Sequence, residues 1–194
     1  MRKLAKSLGV TAPALYRHFE SREQVLLEVV REAYQRLSQH LYPALKGRTP
    51  AERFKLAGEA YLEFALSNPR LYDVLYAPPD QMGWEKLPEE VEAQVCAVGQ
   101  FWSDRVRECM EAGLLRGTTT DDVSVTLWGH AHGLISLYLR GVLRTDEKGF
   151  RALYRSSACR MLEGLGMPQN GQVDLGSKGP DAAEVSYTRY RTGT

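Results

Sequence analysis

Apolar residues recur at helical spacing through nearly the whole chain, and residues that start or stop helices bracket each run, which restricts the fold to packed helices. The first run is short: Leu4, Ala5 and Leu8 are closed off by Gly9, and Val10 enters a turn. Thr11 stands where it can cap a second short helix, with Pro13 in the first turn, where a missing N–H costs nothing, and Leu15 and Phe19 facing inward. Ser21, with Gln24 three residues on, forms a capping box. It opens a long helix whose buried stripe is Leu26, Val29, Val30, Ala33, Leu37 and Leu41, ended by Pro43 and Gly47. Thr49, Pro50 and Glu52 start a third long pattern through Phe54, Ala57, Tyr61, Phe64 and Ala65, and Asn68 then caps a short helix.

Over residues 77–88 the pattern breaks at Pro78, Pro79, Gly83 and Pro88, yet the segment holds Met82 and Trp84, so it either covers something or lies against the body. Helical period returns with Val91, Val95, Val98, Trp102, Val106, Cys109 and Met110, and Gly113 is the expected C-terminal stop. Thr120 or Asp121 is expected to cap the next helix, which carries Leu127, Trp128, Ala131, Leu134, Ile135, Tyr138, Leu139 and Val142. Asp146 starts the last, with Phe150, Leu153, Tyr154, Ser157, Met161 and Leu162. Strand-like alternation is nearly absent, and residues 185–190 are too isolated to found a sheet. The reading is an all-α chain in three parts: a short head with its connecting helix over residues 1–42, a larger helical body over 43–166, and a tail over 167–194 whose Gly, Pro, Ser, Asp and Asn content predicts disorder.

Charge refines this. With 25 Lys and Arg against 24 Asp and Glu the net charge is +1, which does not suit a protein that coats polyanions. Arg2, Lys3, Lys6 and Arg17 nevertheless all precede the first acidic residue, Glu20, and a basic head on a neutral body suits a local anionic partner. The longest nearly uncharged run, residues 123–139, carries Ser, Thr, Gly and two histidines at helical period and reads as a buried helix instead of a membrane span. Met1 is followed at once by amphipathic sequence without an apolar signal core, so a cytoplasmic location and no membrane partner are expected.

Cys96, Cys109 and Cys159 are odd in number and far apart, which gives neither a disulfide framework nor a zinc spacing; reduced thiols are expected. His130 and His132 point to different sides of a helix, and Ser136 near them lacks an acid and a nucleophile turn. No catalytic residue, metal or cofactor is therefore assigned, and the chain is not read as an enzyme.

In the head, a glycine turn and the small Ala5 at the crossing permit the close approach that a helix-turn-helix needs. Leu4, Leu8, Val10, Leu15 and Phe19 are expected to fill its core. Thr11, Ala12, Ala14, Arg17 and His18 stay outside, a short mixed surface able to enter a major groove. The body is dense in large apolar groups with polar tips. Tyr61, Phe64, Trp84, Phe101, Trp102, Met110, Trp128 and His132 are the candidate lining of a cavity for a flat or apolar small molecule, with Trp102, Trp128 and His132 foremost and the loop around Trp84 as a lid. Ordinary core packing is the alternative for each.

The run Leu4-Ala5-Lys6-Ser7-Leu8-Gly9-Val10-Thr11, then Leu15-Tyr16-Arg17-His18-Phe19, then Ser21-Arg22-Glu23 and Leu26-Leu27, resembles the DNA-binding signature of the Tet repressor (TetR) family. Trp128-Gly129-His130-Ala131-His132-Gly133 resembles a motif in one subgroup of that family's C-terminal domains. The resemblance implies an all-α homodimeric regulator with a helix-turn-helix head and a ligand-binding and dimerisation bundle: a repressor released from palindromic double-stranded operator DNA by a small apolar or aromatic effector. Carried over by position, it puts Thr11, Ala12 and Ala14 at or beside the base edges, Tyr16 and His18 on the backbone or a neighbouring base, and Arg22 on a phosphate; Arg2, Lys3, Pro13 and Arg17 complete the DNA-contacting set. From the residues alone Tyr16 could equally be a core aromatic and His18 plain surface. The resemblance also implies a four-helix dimer interface from residues 121–143 and 146–165, with Leu127, Leu134, Tyr138, Leu153, Ser157 and Met161 at the contact. Family members carry a full helix ahead of the one that holds Leu4 and Ala5, and a late start codon or a truncation is the favoured account of its absence here. A helical sensor or interaction protein whose cut-down head does not bind DNA is the competing reading.

Overall fold

The computed structural model describes residues 1–166, and the expected tail at 167–194, with residues 185–190, lies outside the described residues. The described chain is all helical: α1 (Arg2–Ser7), α2 (Ala12–Tyr16), α3 (Arg22–Leu41), α4 (Pro50–Ser67), α5 (Pro69–Leu75), α6 (Glu89–Glu111), α7 (Thr120–Leu139) and α8 (Glu147–Leu165), with short 3-10 helices at Tyr42–Lys46 and Pro79–Met82.

Local chemistry sets most of these starts. Side-chain oxygens of Thr11, Ser21, Thr49 and Asp146 accept from the N–H three residues on, at 3.3, 3.1, 3.1 and 2.7 Å. In both long capping boxes the reciprocal side chain reaches one residue further back than the cap: Gln24 accepts from the Glu20 N–H and Glu52 from the Arg48 N–H. Two expected caps are corrected. α7 is capped by Thr119, which accepts from Asp122 N at 3.1 Å, with Asp121 and Asp122 in the first turn, where the exposed N–H groups favour negative charge. Asn68 gives α5 no side-chain cap, because its Nδ2 donates back to the Phe64 carbonyl at 3.2 Å. Gly113 ends α6 as expected: at φ +71° it lets its own N–H reach Met110 O (3.0 Å) and the Leu114 N–H reach Cys109 O (2.8 Å).

α3 packs against α4, α5 and α6. Val30, Ala33, Leu37 and Leu41 are buried along it together with Tyr34, while Leu26 and Val29, nearer the head, are half-buried. The main apolar cluster joins these to Tyr61, Leu62 and Phe64 of α4, Tyr72 of α5, Phe101 of α6, Ile135 of α7 and Phe150 of α8. A second cluster, built on Val106, Cys109, Leu115 and Val123, takes in Phe54, Leu127 and Leu162. Arginines tie the helices together at the surface: Arg155 of α8 forks onto Glu59 of α4 with two bonds of 2.7 Å, and Glu108 of α6 accepts from Arg53 of α4 at 2.8 Å. The segment 77–88 lies against the body, with Met82 buried and Trp84 packed on the main cluster.

The head differs from expectation in its core. Ala5 and Leu15 are buried at the crossing and Leu4 and Phe19 half-buried, but Leu8 is 59% and Val10 44% exposed. Helices of six and five residues share only one narrow face, and the turn around Gly9 carries Leu8 and Val10 away from it. No helix among the described residues is long and apolar enough to cross a membrane.

Candidate DNA-binding head and ligand cavity

α2 is short because Thr11 caps it and the chain leaves helix after Tyr16. Its outward surface holds Thr11, Pro13, Tyr16, Arg17 and His18, all exposed, with Ala12 and Ala14 half-buried. Tyr16 is 53% exposed and so is not a core aromatic. Arg2 and Lys3 on α1 and Arg22 at the start of α3 are exposed as well, and none of the four basic residues Arg2, Lys3, Arg17 and Arg22 forms an ion pair among the described residues. Such cations keep their full capacity for phosphate oxygens. Arg22 also approaches the body, since a Cβ built on Gly83 would lie 4.0 Å from its Nη1.

Between the two apolar clusters lies a cavity of about 750 Å³, walled by α4, α6, α7, α8 and the turn after α6. Of the expected ligand-binding residues, Tyr61, Trp102 and Trp128 line it. Phe64 and Phe101 do not: both are spent in the main cluster, Phe64 at 0% exposure. Met110 packs on the second cluster and Trp84 on the first, so neither reaches the lining and the Trp84 loop is no lid over this cavity. Leu127 and Met161, expected at the dimer interface, line the cavity. Phe54, Val106, Leu115 and Leu162 also belong to the apolar wall and were not among the expected ligand-binding residues; an inward helical position does not say whether a neighbouring helix fills the space before it. Three wall residues carry buried polar atoms without a hydrogen-bond partner among the described residues: Trp102 Nε1, Ser124 Oγ and His130 Nε2.

His132 lies off the lining, in a chain of polar tips that runs through the body. Tyr76 Oη meets Tyr61 Oη at 2.8 Å, Tyr61 meets Tyr72 Oη at 3.1 Å, Tyr72 meets His132 Nδ1 at 2.7 Å, and His132 Nε2 lies 3.3 Å from Ser136 Oγ. The His132 ring also stacks on Trp128 at 5.4 Å. Burial pushes all three phenols upward, so they stay neutral donors and acceptors.

Burial, and then Arg140, hold His132 below its ordinary value of 6.5; burial and Arg160 do the same for His130. A histidine with a lowered folded value favours the fold while neutral. Its contribution is complete above 6.5 and is lost as pH falls through the lowered value, whereas Glu59, Glu63 and Glu108, held low chiefly by hydrogen bonds from arginines, contribute in full above their ordinary 4.5 and lose that contribution only as pH falls below it. Thermal melts are therefore expected to be level from pH 7 to about 8, below the range where the buried thiol and phenols begin to ionise in the unfolded chain, and to decline as pH falls below 6.5, less steeply in His132→Gln. A wild-type profile level down to pH 5 would remove this role.

Residues 1–29 match the family model for bacterial regulatory proteins of the tetR family, and residues 54–159 match that for tetracyclin repressor-like C-terminal domains. No curated protein matches the chain. Among solved structures it is similar to a protein of unknown function from Rhodococcus sp. RHA1 (TM-score 0.70, 22% identity, 86% of this chain and 84% of that one). It is also similar to the TetR family transcriptional regulator PfmR from Thermus thermophilus (TM-score 0.66, 20% identity, 87% and 88%). A regulatory protein of the tetR family from Rhodococcus RHA1 has the same fold (TM-score 0.65, 14% identity, 86% of each chain).

Proposed function

The chain belongs to the TetR family of DNA-binding transcriptional regulators, and from that premise we propose that it is a homodimeric repressor released from a palindromic operator by a small molecule held in the body cavity. The observation that carries this reading is the cavity of about 750 Å³ in the same chain as an exposed cationic head. Its size falls within the range of roughly 300–1,000 Å³ usual for small-molecule sites, and its wall is mainly apolar.

One short recognition helix reaches few base pairs, so a second head on the same body supplies the specificity. The outer faces of α7 and α8 support dimerisation. Leu137 is 42% and Leu153 36% exposed, and a Cβ built on Gly129 or Gly133 meets nothing within 4 Å. Leu134 packs on the main cluster and Tyr138 stacks on Phe150 of the same chain at 4.0 Å, so the interface is re-proposed around Leu137, Leu153 and Ser157. Release follows if the effector binds the DNA-free arrangement more tightly; a hundredfold shift needs about 2.7 kcal/mol of differential binding.

Selection from a random-sequence duplex pool tests the reading. Enrichment of a palindrome, bound by a dimer and weakened by rising salt, is the expected result. Failure to enrich any sequence would sink it and leave the non-DNA-binding sensor.

A further inference from the structure

The cavity lining changes character with depth. Tyr61, Val106, Cys109, Leu115 and Ser124 are buried and form the floor, which is mainly apolar and carries no charged side chain. Lys55 of α4 and Arg155 and Cys159 of α8 line the same cavity but are exposed, as are Ala51 at the start of α4 and Leu114 in the turn after α6, which places its mouth along α4 and α8 towards that turn. The charges are all at that mouth. Glu59 is the one lining carboxylate, and both its oxygens are already taken by Arg155, at 2.7 Å each. Lys55, one turn away on α4, forms no ion pair among the described residues, and Arg155 has donors left beyond the two that Glu59 uses. The rim thus carries one cation more than it needs for its own carboxylate, above a deep apolar wall. Arg160 adds positive potential nearby, since it acts on His130 of the lining.

We propose that this cavity takes an anionic amphiphile, with its apolar body between Phe54, Trp102, Leu127 and Leu162 and a carboxylate-like head at Lys55 and Arg155. The assignment rests on reading the cavity as the effector site. Cationic amphiphiles are disfavoured by the rim, and strongly polar molecules by the mainly apolar wall, where the unpartnered atoms of Trp102, Ser124 and His130 could replace only a few of their waters.

Dodecanoate, dodecanol and dodecylammonium, at sub-micellar concentration and low salt, separate the head-group term from the apolar term. Binding is read by tryptophan fluorescence and by protection of Cys159 from alkylation. Dodecanoate is expected to bind roughly five-fold more tightly than dodecanol, the scale of one exposed ion pair, with dodecylammonium weakest. Lys55→Met should bring dodecanoate level with dodecanol. Gly58→Leu should block all three: a Cβ at Gly58 meets nothing within 4 Å, Gly58 lines the cavity, and leucine is the better helix former, so the fold survives while the space is filled. Equal affinity of wild type for dodecanoate and dodecanol, with Gly58→Leu blocking both, would overturn the anionic preference and leave the cavity as a small-molecule site. If no probe bound, or Gly58→Leu bound them unchanged, the effector-site reading would fall with it.

Discussion

Phe150→Ala is expected to lower the unfolding free energy by about 3–5 kcal/mol, close to the loss of a whole aromatic from a core that cannot close up behind it. Phe150 is fully buried in the first turn of α8, lies flat on Tyr138 of α7 at 4.0 Å and 1° between planes, and meets Tyr154 one turn on at 6.3 Å. The stack adds to the burial of the ring itself. It also fixes α8 as the outer wall of the cavity, so the variant should lose affinity for any cavity ligand along with stability. Urea unfolding measures the first effect, and Phe150→Leu should recover more than half of it. A loss below about 1 kcal/mol would mean that α8 does not dock here in solution.

The second large effect concerns the head. Arg17→Ala with Arg22→Ala should weaken operator binding by at least roughly a hundredfold at moderate salt, because the proposed dimer would present each arginine twice and lose four phosphate contacts together. The slope of log affinity against log salt should fall by about four for the same reason. Both side chains are exposed and in no ion pair among the described residues, so the melting temperature should barely move. An unchanged salt slope would show that neither arginine meets the backbone of the DNA.

What the sequence disclosed, and what it hid, divides along the range of the interactions involved. Thr11, Ser21, Thr49 and Asp146 cap helices through atoms three residues away, so their roles can be read locally. Even the slip at α7 is a local ambiguity, set in the run Thr118-Thr119-Thr120 where each residue has the cap chemistry. The inward faces of α3 and α4 were legible for the same reason. The cavity was not. Phe64 and Leu127 both sit at inward positions of their helices, yet one is consumed by the main cluster and the other fronts open space; only the spacing of whole helices decides that. His132, expected beside Trp102 and Trp128 in the cavity lining, finds its partners instead in Tyr72, 60 residues earlier, and Ser136. Leu8 and Val10 illustrate the converse limit: apolar residues in a head this small outnumber the places to bury them.

α3 has a mechanical consequence for control of the head. It runs without a break for 20 residues, about 30 Å, with its later half clamped in the body and its first turn leading out of the head. Such a rod is a lever. A rotation of about 5° at the clamped end swings the far end by roughly 2.6 Å, a displacement comparable to the 3.4 Å step between successive bases along a strand. In a two-headed assembly with mirrored swings the separation of the reading helices would change by about twice that. Tyr61 and Trp128 touch the cavity on one side and the buried tyrosine chain on the other, and Tyr72 of that chain belongs to α5, which packs on the rod. Under the proposed release by a cavity ligand, this gearing would let a small movement of these rings put two half-sites out of step.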